Sequence, residues 1–410
     1  MIGKACATVG AAAMLVVAAN GDAAPARSRG PALKVDRVVV LMRHGVRPPT
    51  KALAMPAGVA DGSWPDWPVK PGYLTPHGAA AVALAGGYDR ARWIAAGLLD
   101  ARGCPAASAV RIVADSDQRT IATGRTYADA LLPGCAAAIE HRPQDEPDPI
   151  FSPVDEGAAP IDPTRAAEAV AAALPRGIAA EEMRLRPLLT RLDAILCAQA
   201  APSCGVGRVP TSIVPATAAK RPKLTGALDR ASTAAQILLL EYAEGKPMAE
   251  VGWGRATPAD VARLSEFHSV EFAILARPRY LAQRNLALLA PLMSQALTAT
   301  AAPRVTMIAG HDTNVASLGG LLGLHWRVPG LAADDPSPGG AIILERLRDG
   351  AGNLYVRARF RSQTIDQIRR LSPSSGAAPY DVAVPIDGCR SAAGTGVCTL
   401  RAFNAKLATN

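Results

Sequence analysis

Aromatic residues are scarce in this chain of 410 residues: five Phe, five Trp and seven Tyr, or 4%. The 44 Lys and Arg are scattered rather than gathered into a basic run, and no aromatics interleave with them. The two absences exclude a nucleic-acid arm or a groove that stacks single-stranded bases. The seven cysteines form no Cys-x-x-Cys pair and no Cys/His cluster, so no zinc site is expected. Beyond the N-terminal segment no apolar run approaches membrane-spanning length, which argues against stable membrane insertion. What the chain does have is 49% hydrophobic residues, swollen by alanine, and a net charge of +9. The first reads as Ala-rich helices packed closely on a sheet, and the second favours small anionic partners.

The N-terminus reads as a signal peptide, residues 1–26. Lys4 supplies the positive end, Ala5 to Ala19 the apolar stretch, and Ala24-Pro25-Ala26 is one of several small-residue cleavage sites. Export to the periplasm or the medium is therefore expected. Six cysteines remain after that segment: Cys104, Cys135, Cys197, Cys204, Cys389 and Cys398. An oxidising compartment explains them as disulfides. Cys197 to Cys204 and Cys389 to Cys398 are short loops that local bridges can close, although six cysteines allow fifteen connectivities.

The chemistry concentrates at the ends of apolar runs. Val38-Val39-Val40-Leu41-Met42 reads as a buried strand, and Arg43-His44-Gly45-Val46-Arg47-Pro48-Pro49-Thr50 follows it directly. In an open α/β sheet the carboxyl end of a strand is where ligands sit. Arg43 and Arg47 offer planar forks of donors suited to phosphate oxygens. They also depress the pKa of His44, keeping the imidazole neutral and nucleophilic. Far downstream, Arg304 to Gly310 reads as a second buried strand, and His311-Asp312-Thr313 follows. His311 can donate to phosphoryl oxygens, and Asp312 is an acid able to protonate a leaving alkoxide, as no arginine can. A third strand, Val110 to Asp115, leads through Arg119-Thr120 into an Ala-rich helix, Ile121 to Leu132.

Between these motifs the chain changes character. Pro76 to Ala101 reads as a helix; Pro143 to Pro163 is Pro-rich and acidic, a boundary or excursion rather than core. Arg165–Leu174, Glu181–Ala200 and Leu224–Glu244 read as helices with no strand between them. After Arg304, Ala341–Leu347 and Leu354–Phe360 read as strands joined by a turn at Gly350, Gly352 and Asn353, the signature of an antiparallel hairpin. The reading is an α/β catalytic domain, residues 33–142 and 256–410, split by an inserted, mainly α-helical domain, residues 143–255.

In the order Arg-His-Gly-x-Arg-x-Pro-Thr, then Arg-Thr, then His-Asp, the chain resembles the histidine acid phosphatase family. It is most similar to the bacterial periplasmic branch of phytases and glucose-1-phosphatases. The resemblance implies a phosphoglycerate-mutase-like α/β core with an inserted helical domain, and hydrolysis of phosphomonoesters through a phosphohistidine. It implies His44 as nucleophile, Asp312 as proton donor, and Arg43, Arg47, Arg119 and His311 as phosphate ligands. It further implies Thr50, Lys51 and Thr313 as substrate contacts, and the pairings Cys104–Cys135, Cys197–Cys204 and Cys389–Cys398. Gly45 and Lys51 favour phytate over glucose 1-phosphate, whereas Gln236 stands where a phytase of this branch carries a glutamate. Trp64, Trp67, the Leu74-Thr75-Pro76-His77-Gly78 segment and Gly252-Trp253-Gly254-Arg255 also match, in structural roles. No metal or other cofactor is required, and a monomer is expected. Because Asp312 would begin protonated, an acidic optimum follows. A cytosolic phosphoryl-transfer mutase would share the Arg-His-Gly start without a signal or disulfides. A non-catalytic periplasmic binder of phosphorylated ligands would keep the arginines without needing both His44 and Asp312.

Overall fold

Lys34–Arg43 is a strand buried from Arg37 onward on both faces, which is why its sequence is a continuous apolar run rather than an alternation. It forms the centre of an eight-stranded sheet in a computed structural model described for residues 1–3, 33–199, 203–373 and 376–408. Apart from its first three residues, the expected signal peptide lies outside the described residues. On one side Lys34–Arg43 pairs in parallel with Val305–Gly310, then come Val110–Ala114 and Ile139–Glu140, also parallel. On the other side it pairs antiparallel with Ala341–Arg348, followed by Leu354–Ser362, which binds both Tyr380–Val384 and Cys398–Thr399.

Side chains alternate between two cores. Val38, Val40 and Met42 face Val82, Ala85, Trp93, Tyr127 and Leu131 of the helices Pro76–Ala95 and Gln118–Leu131. Val39 and Leu41 face the helical layer that runs from Pro163–Ala173 to Leu289–Thr298. The helices of residues 143–255 thus share one hydrophobic core with those that follow and with one face of the sheet.

Two sequence expectations are corrected. Residues 143–162 lack regular structure, yet Phe151, Val154, Ala159 and Ile161 are buried in the larger core; scattered prolines rule out helix, not burial. The stretch from Leu224 is not all helix. Lys223–Thr225 pairs with Ser212–Val214 in a small antiparallel hairpin, and the helix is Ala227–Ala243. Gly226 divides them at φ 84°, where a Cβ would stand 2.2 Å from the Pro210 carbonyl oxygen, so only glycine makes this corner. The 341–348/354–362 hairpin forms as read, and all three disulfides pair as the resemblance implied. Among the described residues no helix is long and apolar enough to cross a membrane.

One buried acid ties stability to pH. Glu241 is fully buried; Oε2 accepts from the Gly252 N–H, and burial pushes its pKa from 4.5 up to about 8. The folded state therefore keeps a proton that the unfolded chain releases. The stability tied to this group is full below pH 4.5 and erodes as pH rises toward about 8. Glu241→Gln is expected to flatten that decline, read as the change in Tm between acid and mildly alkaline buffer.

Candidate active site

Three parallel strands end side by side. Register sets Arg43 opposite Gly310 and Ala114 opposite Ala309, so His44, His311 and Asp115 leave the sheet at one edge. The His44 N–H donates to Gly310 O at 3.0 Å, and the Asp115 N–H to Ala309 O at 3.1 Å, which extends the ladder into the loops. The loop after His44 is held from below. The Gly45 N–H donates to Thr123 Oγ1 at 3.2 Å, and a Cβ on Gly45 would lie 2.8 Å from both Leu74 and Val82 side chains. Thr75 caps the helix Pro76–Ala95 by accepting from the Gly78 N–H, while its own N–H donates to Val46 O. This is the structural role expected of the Leu74–Gly78 segment. Trp64 packs on Trp253 at 4.8 Å and Lys246 lies over Trp67, again as expected.

His44 is buried, and its Nδ1–H donates to the Gly45 carbonyl at 2.8 Å. That bond places the tautomeric proton on Nδ1 and leaves the Nε2 lone pair free to attack. Burial holds the His44 pKa well below its ordinary value, reinforced by Arg119, Arg47, Arg43 and His311. The cations crowd one another: burial, with Arg119 and Arg43 nearby, pushes the Arg47 pKa down to about 9. Among the described residues the Nε atoms of Arg43, Arg47 and Arg119 and Gln236 Nε2 are buried without a hydrogen-bond partner. Such a site has donors and positive charge in excess, the arrangement that an anion relieves.

Asp312 opens the helix Asp312–Leu322 and lies 3.1 Å from Arg43 Nη2. Burial alone would raise its pKa, but Arg43 and His268 outweigh burial and hold the carboxyl well below the usual range. These neighbours favour an ionised Asp312, where the sequence reading expected it to begin protonated. His311 also differs from its simple reading: its Nε2 contacts Asp115 Oδ2, with Asp117 3.5 Å away. Asp117 in turn pairs with Arg119 at 2.6 Å. Asp115, Asp117 and His311 are close enough to share an ion, but these pairings already engage all three.

A cavity of about 570 Å³ opens beside Arg47 and is lined by Thr50, Lys51, Lys223, Asp229, Arg230, Gln236, His268 and Glu271, among others. A second, of about 440 Å³, is lined by Lys220, Arg221, Lys223, Glu271 and Thr313. Lys223 and Glu271 line both. Thr50 and Lys51 thus stand on the Arg47 side, and Thr313 on the far side.

A model of the histidine phosphatase superfamily (branch 2) matches residues 34–184 and 255–361. The chain belongs to that superfamily. Its relatives include phytase AppA of Escherichia coli (strain K12), 35% identical over 91% of each chain. A glucose-1-phosphatase of Providencia rettgeri is 28% identical over 82% of each. The apo form of Hafnia alvei phytase superposes with a TM-score of 0.83 at 33% identity, covering 92% of this chain and 96% of that one. As a branch 2 histidine phosphatase the protein is a phosphomonoester hydrolase, and the mixed α/β fold is the one the motifs implied.

Sequence reasoning missed part of the histidine phosphatase site. His268, Asp335, Glu271 and Lys223 carry no motif. The signal for His268 was slight: one of only six histidines, in the helix Glu266–Leu275. Asp335 sits in an irregular loop and gave none.

Proposed function

We propose that the protein is a metal-independent phytase of the periplasm or the medium, working through a phosphohistidine on His44. The observation that carries this reading is the group of Arg43, Arg47 and Arg119 with unpaired donors around a neutral imidazole whose Nε2 is free. In this reading the three arginines, with His311, hold the phosphoryl oxygens in line with Nε2. The cations match the charge that spreads over the equatorial oxygens in the transition state. Asp312 gives a proton to the leaving oxygen, then as carboxylate takes one from the water that attacks the phosphohistidine. His311 must turn from Asp115 or use its Nδ1 to join the clamp.

A polyphosphate suits the two cavities because Lys51, Lys220, Arg221 and Lys223 lie along their walls. The stretch 143–255, which carries Lys220 to Gln236, serves here as the substrate-covering insertion. Asp229 and Glu271 share that wall, and burial raises the pKa of each. Neutral in acid, they do not oppose extra phosphates; ionised, they repel them. Acid pH therefore favours the polyphosphate irrespective of how Asp312 is charged. Export to an oxidising compartment accounts for the three disulfides.

The deciding experiment is phosphate release by the purified protein at about pH 4.5 in EDTA, with phytate and glucose 1-phosphate compared. Faster release from phytate, unaffected by EDTA, is the expected result. Preference for glucose 1-phosphate would remove the phytase assignment, and no release from either would favour the binder. Lys223→Ala is expected to raise KM for phytate by about threefold to tenfold while leaving KM for glucose 1-phosphate near its wild-type value, because a monophosphate does not reach that wall.

A further inference from the structure

Asp312 poses a problem of proton supply. It pairs with Arg43, which with His268 holds its carboxyl toward the ionised form, yet a leaving alkoxide needs a proton. Behind it stands a group that the motifs do not include. His268 is buried on the helix Glu266–Leu275, with Nε2 3.7 Å from Asp312 Oδ2 and Nδ1 2.9 Å from Asp335 Oδ1. Asp335 is 1% exposed, and its other carboxyl oxygen, Oδ2, has no hydrogen-bond partner among the described residues. A buried carboxylate with so little else to satisfy it requires a cation, and His268 is the group bonded to it.

We propose that His268, seated on Asp335, is a positioning residue that stores the proton Asp312 delivers to the leaving group. The inference rests on the phosphatase reading above. Asp312 Oδ2 is shared between Arg43 at 3.1 Å and His268 at 3.7 Å. A phosphate that engages Arg43 releases this oxygen toward His268, shortening the longer contact. The Nε2–H bond of the imidazolium then breaks as an O–H bond forms on Asp312. Asp312 passes that proton to the bridging oxygen while the P–O bond breaks and the bond from His44 Nε2 to phosphorus forms. His268 is left neutral, its Nδ1–H still donated to Asp335. In the second half, water attacks the phosphohistidine, and its proton returns through Asp312 to His268. Each cycle consumes one water and restores every group.

The surroundings agree with a stored proton. Burial lowers the His268 pKa, but Asp335 and Asp312 outweigh it and Arg43 opposes them only in part, leaving it at about 9. Glu271, on the same helix, also interacts with His268, and the Phe272 ring meets the imidazole edge-on at 4.4 Å. Without this reservoir the leaving oxygen must draw on the proton of the substrate monoanion, which is lost above about pH 6.

The test is kcat against pH for wild type, His268→Gln and Asp335→Asn, on an alkyl ester (β-glycerophosphate) and an aryl ester (p-nitrophenyl phosphate). On the alkyl ester at about pH 7, His268→Gln is expected to lose about 100-fold in kcat, with its alkaline limb moved toward about pH 6. Asp335→Asn should shift the limb in the same direction by less. The aryl leaving group departs as an anion, so its kcat should fall by less than about fivefold, which also shows that the variant is folded. Equal losses on both esters with an unmoved limb would overturn the proposal. A wild-type protein inactive on both esters would instead overturn the phosphatase reading.

Discussion

His44→Ala is expected to lower phosphate release by at least about 10⁴-fold while leaving the fold and phosphate binding in place. The size follows from the division of labour at the strand ends. The arginines proposed to hold the phosphoryl group come from the end of Lys34–Arg43, from the loop after it and from the helix Gln118–Leu131, and none needs the imidazole to stay positioned. Arg43 is anchored by donating to Pro336 O at 2.7 Å and by its pair with Asp312. Arg119 is anchored by Asp117. What the variant loses is the attacking Nε2, for which no neighbour substitutes: the nearest imidazole, His311, lies 5.7 Å away ring to ring and is engaged by Asp115. The check has two parts. Acid-quenched wild type given phosphate-labelled substrate should fail to retain label, whereas alkaline quenching should preserve it, the behaviour of a phosphoramidate. The variant should show no label under either condition. More than about 1% residual turnover in the variant would sink the nucleophile assignment.

The sequence carried the catalytic edge further than it carried the pocket, for a physical reason. His44, His311 and Asp115 each directly follow a buried strand, and parallel pairing then makes their meeting nearly unavoidable. Once Val38–Met42 and Val305–Gly310 are read as neighbouring strands, His44 and His311 emerge together, as the Arg43–Gly310 register shows. The pocket obeys no such rule. Lys223 reaches it because Gly226 turns a short hairpin against a helix, and Glu271 because two helices pack across it. His268 and Asp335 are far apart in the chain and meet only through the packing of a helix on an irregular loop. Their consequence is nonetheless large. His268 helps hold the Asp312 carboxyl below its usual range, against the protonated acid expected from the mechanism. The prolines between 143 and 163 misled in the opposite sense, because proline frequency speaks to hydrogen bonding while Phe151 and Val154 are placed by apolar burial.

Asp89→Ala is expected to be among the most destabilising single changes in the protein, costing about 3–5 kcal/mol. Asp89 lies on the helix Pro76–Ala95 and Arg361 on the strand Leu354–Ser362; their pair is 2.7 Å long and wholly inaccessible to solvent. The same carboxyl oxygen accepts from the Tyr127 hydroxyl at 2.7 Å, and Arg361 donates to Gly339 O at 2.8 Å. Removing the carboxylate strands a guanidinium where water does not reach, and that desolvated charge sets the cost. The damage should also reach the active site. The loop Pro336–Gly340 that Arg361 supports accepts from Arg43 through the carbonyls of Pro336 and Gly340, and its Gly339 N–H donates to His44 O. Urea unfolding at fixed pH, with the disulfides kept oxidised, measures the loss, and kcat on the surviving folded fraction reports the loop. The double variant Asp89→Leu/Arg361→Met separates the causes. It removes both charges and restores apolar volume, so it should recover most of the stability, less what Tyr127 loses with its acceptor. It should not recover kcat, because Arg361→Met removes the bond from Arg361 to Gly339 O that supports the loop. A single variant that loses less than about 1 kcal/mol would show that water reaches this pair after all.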